Sequence, residues 1–144
     1  MIAIGSDHGG FELKEEIKKY LLQKGYEVKD FGVDSPTSVD YPDIAKTTCA
    51  SIVSGECEKG ILVCGTGIGI SISANKIHGI RAALCGDCYS AKMAKEHNNA
   101  NVLALGGRVI GPNLALEIVE AWLNAEFQGG RHQNRIEKIH MLEC

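Results

Sequence analysis

Short apolar runs alternate with longer amphipathic segments along the whole of this 144-residue sequence. The short runs are typical of buried strands, and the longer segments, whose apolar residues recur three and four apart, are typical of helices. Strands that alternate with helices predict a parallel sheet with helices on both faces. We therefore predict a three-layer, doubly wound (Rossmann-like) α/β fold with a five-stranded parallel sheet, in which residues 1–144 form a single domain.

Glycine, proline and polar residues between the apolar runs set the expected boundaries. Strands are predicted at 1–5, 26–31, 60–64, 80–85 and 102–105, and helices at 11–24, 42–53, 70–76, 88–97, 112–123 and 131–142. The second strand is expected near an edge of the sheet, and the strand order stays open. In the first helix, Phe11, Leu13, Ile17, Tyr20, Leu21 and Leu22 are predicted to face the core, and Glu12, Lys14, Glu15, Lys18 and Lys19 to face water.

Right-handed crossovers place the carboxyl ends of parallel strands at one edge of the sheet, where ligands bind in folds of this class. Polar or glycine-rich segments follow four of the predicted strands, so we expect them to gather at that edge. They are Asp7 with His8, the segment 64–69, Gly86 with Asp87, and the segment 106–108.

Cys64 ends the third predicted strand and precedes a loop in which every second residue is glycine. Glycines let backbone N–H groups approach a ligand, and the start of the next helix favours negative charge. A thiol there can act as a nucleophile or a base, while the N–H groups and the Thr66 hydroxyl stabilise an oxyanion. An inert, buried thiol is the alternative. The loop is not a P-loop, because no Gly-Lys-Ser/Thr follows, and it lacks the dinucleotide spacing.

Several other side chains allow both a catalytic and a structural explanation. His97 suits acid–base chemistry at neutral pH, but it also fits the end of a helix, where it interacts with the helix dipole. Asp7 can act in a site with His8 or can only cap the first helix. Arg131 and Arg135 lie four apart on one helix face, which suits a phosphate dianion as well as a solvated basic surface.

Six cysteines leave a redox function open. Cys85 and Cys88 form a C-x-x-C pair, although no second pair completes a zinc site. Cys49, Cys57 and Cys144 show no ligand spacing, so no metal is expected.

Charge and hydropathy exclude some classes of partner. The net charge is −3 and the isoelectric point about 5.9, so the overall field does not favour nucleic acid. No apolar run approaches the ~20 residues of a membrane span, and no basic region precedes the first apolar run as in a secretory signal. We therefore expect a cytoplasmic protein with reduced thiols, without nucleic-acid or membrane partners.

Eight segments together resemble the ribose-5-phosphate isomerase B family, which is grouped with the galactose-6-phosphate isomerase subunits. The resemblance covers essentially the whole chain, and the combination is far more specific than any single motif. The segments are 6–10 (SDHGG), 40–43 (DYPD), 64–69 (CGTGIG), 74–76 (ANK), 79–81 (GIR), 97–101 (HNNAN), 106–108 (GGR) and 129–135 (GGRHQNR).

The resemblance implies an aldose–ketose isomerase that interconverts D-ribose 5-phosphate and D-ribulose 5-phosphate, in the pentose phosphate pathway, through an enediolate. The family works without metal or other cofactor, as a homodimer or, in some members, a dimer of dimers, with sites between subunits. Some members place a glutamate near the glycine loop as the base. Here the segment 68–71 (IGIS) contains no carboxylate, so the cysteine subtype fits.

The resemblance also implies roles for individual residues. Cys64 moves a proton between C1 and C2, and His97 opens the sugar ring with Asp7 and Tyr41 as polar helpers. Asn98 binds sugar hydroxyls, and Arg108 is expected from the partner subunit. The helix 131–142 contributes to the phosphate site and the dimer. The enediolate oxygen is held by Gly65, Thr66, Gly67, Ile68 and Gly69, and the phosphate by His8, Arg131 and Arg135.

Three other functions stay open from the sequence. One is isomerisation of another sugar phosphate, such as a six-carbon one of the allose or galactose 6-phosphate type. Another is a non-catalytic phosphosugar-binding module that keeps the glycine loop as an anion site. The third is a thiol redox protein that uses Cys85 and Cys88.

Overall fold

The computed structural model of the protein describes residues 1–143. Within these residues, strands and helices alternate, which confirms the predicted α/β class. The strands are β1 (Ile2–Ser6), β2 (Val28–Asp30), β3 (Lys59–Cys64), β4 (Ala82–Leu84) and β5 (Val102–Gly106). The helices are α1 (Phe11–Gln23), α2 (Tyr41–Val53), α3 (Ile68–Asn75), α4 (Cys88–Asn98), α5 (Pro112–Asn124) and α6 (Arg131–His140), and a 3₁₀ turn (His8–Gly10) precedes α1.

The strand order, which the sequence left open, is β2-β1-β3-β5-β4, and all neighbours run parallel. The connection after β1 leads to the β2 side of the sheet, whereas the connection after β3 leads to the β4 side. The carboxyl ends of β1 and β3 therefore border a crevice at a topological switch point, where ligands bind in doubly wound folds. In the register of the strands, Ser6 lies beside Val63 and Cys64 beside Gly106.

Helices cover both faces of the sheet, so the predicted three layers are confirmed. α1, α4 and α5 pack on one face around Ile17 and Trp122. α2 and α3 cover the other face around Cys49 and Ile70. Side chains alternate along a strand, and this places Cys64 in the α2–α3 layer.

Two residues of α1 lie on the opposite side from the one the sequence predicts. Lys14, expected in water, has a fully buried side chain, and Leu22, expected in the core, is 53% exposed. The Lys14 ammonium donates hydrogen bonds to both carboxylate oxygens of Asp30, at 3.1 and 2.8 Å, and to the Val33 carbonyl. Because these partners come from β2 and the loop after it, the periodicity of α1 by itself places Lys14 incorrectly.

Boundaries differ most at the two edge strands. β2 and β4 are each paired on one side only, and each is three residues long, shorter than predicted. The second strand lies at an edge, as expected. α3 begins at Ile68, earlier than predicted, because Gly67 caps it in a left-handed conformation. α6 ends at His140 rather than at residue 142.

Candidate active site

Cys64 lies at the carboxyl end of β3 with its side chain buried and its sulfur in contact with the backbone of the next loop. The Gly67 N–H donates a hydrogen bond to Cys64 Sγ at 3.1 Å. An N–H donor on sulfur stabilises negative charge there, and the amino end of α3 begins one residue later. The sulfur therefore faces a backbone donor and the amino end of a helix.

The glycines of the loop are required by close neighbours. Gly67 has φ of +81°, and a Cβ there would lie 2.5 Å from Leu84 Cδ1 and 2.8 Å from the Leu105 carbonyl carbon. A Cβ on Gly69 would lie 2.4 Å from the ring of Tyr41. The loop thus packs tightly against β5, and the Tyr41 ring lies against the first turn of α3.

Thr66 belongs to the same loop and is exposed. Its Oγ1 accepts a hydrogen bond from the Ile68 N–H at 3.2 Å, which occupies one of the N–H groups at the start of α3. The hydroxyl proton of Thr66 stays available for a ligand. Thr66 therefore both shapes the loop and offers a donor at its surface.

Asp7 and His8 border the same crevice from the end of β1. The Asp7 N–H donates to the Val63 carbonyl at 3.2 Å, and its buried carboxylate accepts from the Gly10 N–H at 3.1 Å. Asp7 thus caps the 3₁₀ turn rather than the first helix, because Gly10 is the N-cap of α1, and it lies beside the end of β3. His8 Nδ1 accepts from the Val39 N–H at 3.3 Å, so a neutral ring carries its proton on Nε2.

Arg108 completes this first cluster of residues, which we call the thiol cluster (Asp7, His8, Tyr41, Cys64 to Gly69, and Arg108). The Arg108 N–H donates to the Gly65 carbonyl at 2.9 Å. The guanidinium lies 3.3 Å from a Cβ built on Gly65 and 3.4 Å from one built on Gly9. Arg108 was expected from a partner subunit, and here it lies against the glycine loop of its own chain. A cavity of about 240 Å³ adjoins it and His8.

The remaining predicted residues lie at the opposite edge of the sheet and form the basic cluster (His97, Asn98, Arg131, Arg135). α4 begins after the carboxyl end of β4 and ends shortly before the amino end of β5. Its 11 residues span about 16 Å, so His97 and Asn98 are carried away from Cys64. The chain therefore does not bring its own basic cluster to its thiol cluster.

His97 packs against His132, and this contact joins α4 to α6. Of the two, only His97 was a candidate from the sequence. Their ring centroids lie 4.3 Å apart, with planes at 11°. Burial lowers the pKa of His132, and the nearby His97, Arg131 and Arg135 charges lower it further. The stack fixes the start of α6, with its exposed arginines, beside the end of α4. Only the tertiary contact reveals His132, since the histidine has no spacing signal relative to His97.

The C-x-x-C pair packs on the α1–α4–α5 face of the sheet, whereas Cys64 packs on the opposite face. Cys85 is buried, Cys88 is half-buried, and both are free thiols. Burial raises the pKa of Cys85 to about 11, and Asp87 contributes to the same shift. A thiol with a raised pKa is a poor nucleophile for disulfide exchange, so Cys85 is not suited to start such a reaction. Cys144 lies outside the described residues.

Residues 1–143 contain no group of three or more His, Cys, Asp or Glu side chains arranged to hold a metal ion. In the same range, none of the helices combines the length and the apolar character that crossing a bilayer demands.

The fold and the thiol cluster define an α/β protein that holds a thiol beside a glycine loop at the switch point of its sheet. Residues 2–139 match the family model described as Ribose/Galactose Isomerase. The chain belongs to that family, and it is therefore an isomerase.

Curated relatives and solved structures agree with this assignment. The chain is 51% identical to ribose-5-phosphate isomerase B of Escherichia coli, over 99% of this chain and 95% of the relative. It is 54% identical to D-erythrulose-4-phosphate isomerase of Pectobacterium atrosepticum, over 99% and 94%. The solved ribose-5-phosphate isomerase B of Clostridium thermocellum is 58% identical and superposes with a TM-score of 0.98, covering 99% of this chain and 96% of the other.

Proposed function

We propose that the chain interconverts D-ribose 5-phosphate and D-ribulose 5-phosphate by proton transfer between C1 and C2. The observation that carries this proposal is the hydrogen bond from the Gly67 N–H to Cys64 Sγ at the start of α3. It combines a polarised thiol with backbone donors, and enolisation requires both. The family and the E. coli relative support the substrate class.

In this mechanism the Cys64 thiolate removes the C2 proton of the open-chain aldose. The C2–H electron pair forms the C1–C2 double bond, and the carbonyl pair of C1 moves to O1. The cysteine then returns a proton to C1, the C2 hydroxyl becomes the ketone, and its proton passes to O1. The step is balanced without a metal, oxidant or reductant, so we propose no cofactor. The N–H groups of Gly69 and Ile70, in the first turn of α3, have no acceptor within the helix and suit the enediolate oxygen.

The remaining site residues receive the roles that the family resemblance implies. We assign ring opening to His97, with Asp7 and Tyr41 as polar helpers, and the sugar hydroxyls to Asn98. The phosphate is assigned to His8, Arg131 and Arg135, with Arg108 as a further substrate contact. A phosphate held far from C1 and C2 fixes the orientation of the sugar without taking part in the chemistry.

We further propose that each site is formed between two copies of this chain. The thiol cluster and the basic cluster lie at opposite edges of one sheet, so a single chain cannot bring both to one pentose. A second copy that presents its basic cluster to the thiol cluster would complete the site. α6 would then contribute to both the phosphate site and the dimer.

An apolar patch beside the glycine loop supports this homodimer. Ile68 and Ile72 lie four apart on α3 and are 51% and 55% exposed, and Leu84 of the edge strand β4 is 43% exposed. A twofold axis perpendicular to α3 would run two copies of the helix antiparallel. The glycine-loop end of each α3 would then approach the other copy's opposite sheet edge, where its basic cluster lies.

The proposed function is tested by NMR of D-ribulose 5-phosphate with the protein in D₂O. We expect deuterium at C1 of the ketose and at C2 of the aldose, together with net conversion between the two sugars. Binding of the sugar phosphate without exchange would instead identify a non-catalytic binding module. Absence of both binding and exchange would overturn the proposal.

A four-carbon substrate is the second candidate, because identity to the D-erythrulose-4-phosphate isomerase slightly exceeds identity to the E. coli enzyme. Relative kcat/KM values on four-, five- and six-carbon sugar phosphates decide among the candidates, including the six-carbon alternative. We expect the five-carbon phosphate to give the highest value.

The free thiols among residues 1–143 support the further proposal of a cytoplasmic location.

A further inference from the structure

Arg81 is a half-buried cation that the proposed mechanism does not use. It lies just before β4, in the segment 79–81, which carries part of the family resemblance but receives no role from it. Burial lowers the pKa of Arg81, with Glu143 opposing the shift. Taking a guanidinium out of water is costly. A half-buried one therefore needs hydrogen-bond partners that compensate this cost.

The guanidinium binds the end of α4. Arg81 Nε donates to the Asn98 and Asn99 carbonyls at 3.2 and 3.0 Å, and Nη2 donates to the Asn99 carbonyl at 2.8 Å. Asn99 is left-handed, with φ of +44°. A cation at the carboxyl end of a helix also compensates the helix dipole. Arg81 therefore holds the turn that carries His97 and Asn98.

The same guanidinium reaches the far end of α6. Its Nη1 lies 3.0 Å from His140 Nε2, and because arginine only donates, the histidine nitrogen accepts. Gly79 extends the connection, since its N–H donates to the Glu143 carboxylate at 2.9 Å. With His132 stacked on His97, α6 is attached to α4 near its start and through Arg81 near its end, about 12 Å apart.

Asn101 holds the backbone of Arg81 in place. The Arg81 N–H donates to Asn101 Oδ1 at 2.8 Å, and Asn101 Nδ2 donates to the Gly79 carbonyl at 2.9 Å. The arginine is thus fixed at its backbone as well as at its guanidinium. This arrangement is stiffer than a surface arginine that only covers a helix end.

We propose that Arg81 is a positioning residue that fixes His97 and Asn98 relative to Arg131 and Arg135. This inference rests on the proposed function. The Arg81 guanidinium makes two connections. The α4 arm runs to the end of α4 and positions the ring-opening group. The α6 arm runs to His140 and positions the phosphate arginines. Misplacement of such groups by about 1 Å can lower turnover about 100-fold.

The test compares Arg81→Gln, Arg81→Lys and His140→Ala with the wild-type protein. Two readouts are measured: the dissociation constant of inorganic phosphate by calorimetry, and the ratio of C1 deuterium exchange to net aldose formation from D-ribulose 5-phosphate in D₂O. Partial loss of folded protein lowers exchange and turnover equally and leaves the ratio unchanged. Lys92→Gln, an exposed cation of α4 paired with Glu96, is the matched control.

We expect Arg81→Gln to raise the ratio several-fold and to weaken phosphate binding several-fold. His140→Ala, which removes only the α6 arm, should weaken phosphate binding and leave the ratio near the wild-type value. Arg81→Lys should keep part of the α4 arm, because an ammonium can reach the carbonyls but cannot also reach His140. Lys92→Gln should match the wild type in both readouts.

The inference is overturned if Arg81→Gln and His140→Ala leave phosphate affinity and the ratio within twofold of the wild type. It is equally overturned if Lys92→Gln has the same effects as Arg81→Gln. A wild-type protein without C1 exchange would remove the proposed function instead, and the phosphate affinities of the variants would still decide the positioning role.

Discussion

Cys64 differs from the other described thiols in the group that its sulfur meets. Cys49 is surrounded by apolar side chains, and burial raises its pKa to about 12. Cys64 is equally buried, but its sulfur accepts the Gly67 N–H. The backbone donor, rather than burial, therefore distinguishes Cys64, the proposed base, from Cys49.

Cys64→Ser tests this difference. Serine keeps the size of the side chain but is not ionised near neutral pH, so we expect kcat for D-ribose 5-phosphate to fall about 10²–10⁴-fold with little change in KM. Steady-state assays of ketose formation measure it. Cys88→Ser is the control and should keep activity within twofold. Equal losses in both variants would instead favour a function for the C-x-x-C pair.

Gly67→Ala tests the conformation of the loop. The left-handed φ and the contact with the Leu105 backbone leave no room for a Cβ, so the loop must move away from the Cys64 sulfur. We expect a loss of stability of about 1–3 kcal/mol and a loss of kcat larger than stability explains. Denaturant unfolding and kinetics measure the two. Gly111→Ala, at φ of −78° with open space around it, should change kcat less than twofold.

At the scale of elements, the contact between α1 and β2 depends on one buried ion pair. Lys14 is fully buried, Asp30 is 18% exposed, and Lys18 also lies within 3.1 Å of Asp30. The Gly32 N–H adds a third donor to the same carboxylate. Lys14 thus holds both the edge strand and the following loop, and that loop contacts His8 through the Val39 N–H.

Lys14→Met should destabilise the fold, because it leaves the Asp30 carboxylate without its buried ammonium partner. Methionine cannot replace that partner. We expect about 3 kcal/mol, the lower end for breaking a buried pair, since Lys18 keeps some compensation. Urea unfolding measures the change. Lys18→Met, at a partly exposed position, should cost less than about 1 kcal/mol. A smaller effect of Lys14→Met than of Lys18→Met would contradict this account.

Acid should weaken the same contact. Burial by itself would raise the pKa of Asp30, but Lys14, the Gly32 N–H and Lys18 together hold it below its ordinary value. A lowered folded-state pKa gives stability that is complete above the unfolded value of about 3.9 and lost as the pH falls through the folded value. Asp30→Asn should therefore be less stable than the wild type at pH 7, with the difference shrinking below pH 4. A difference independent of pH would rule out the charge as its cause.

At the scale of the whole molecule, the two clusters at opposite edges of the sheet predict complementation between inactive chains. Cys64→Ala and His97→Asn should each be inactive alone. After unfolding and refolding together in equal amounts, mixed dimers should contain one site with both residues intact, which recovers roughly a quarter of wild-type activity. Recovery by mixing is measured against each variant refolded alone. No recovery, despite mixed dimers detected by native mass spectrometry, would mean that each site uses one chain.

Prediction from sequence succeeded where a residue's surroundings are local. The starts of α4 at residue 88 and of α5 at residue 112, and the thiol before the glycine loop, each depend on neighbours within a few residues. Lys14 was predicted incorrectly because its partner, Asp30, lies 16 residues away on another element. Helical periodicity carries no information on such a contact.

The sequence by itself determined the α/β class, the alternation of elements and the thiol beside its glycine loop, because periodicity and glycine placement are local properties. Only the tertiary structure decided the strand order, the burial of Lys14, the Arg81 contacts and the division of the site residues between two edges of the sheet. These depend on which distant segments become neighbours. That choice is made by the packing of the whole sheet and its helices, which local patterns do not encode.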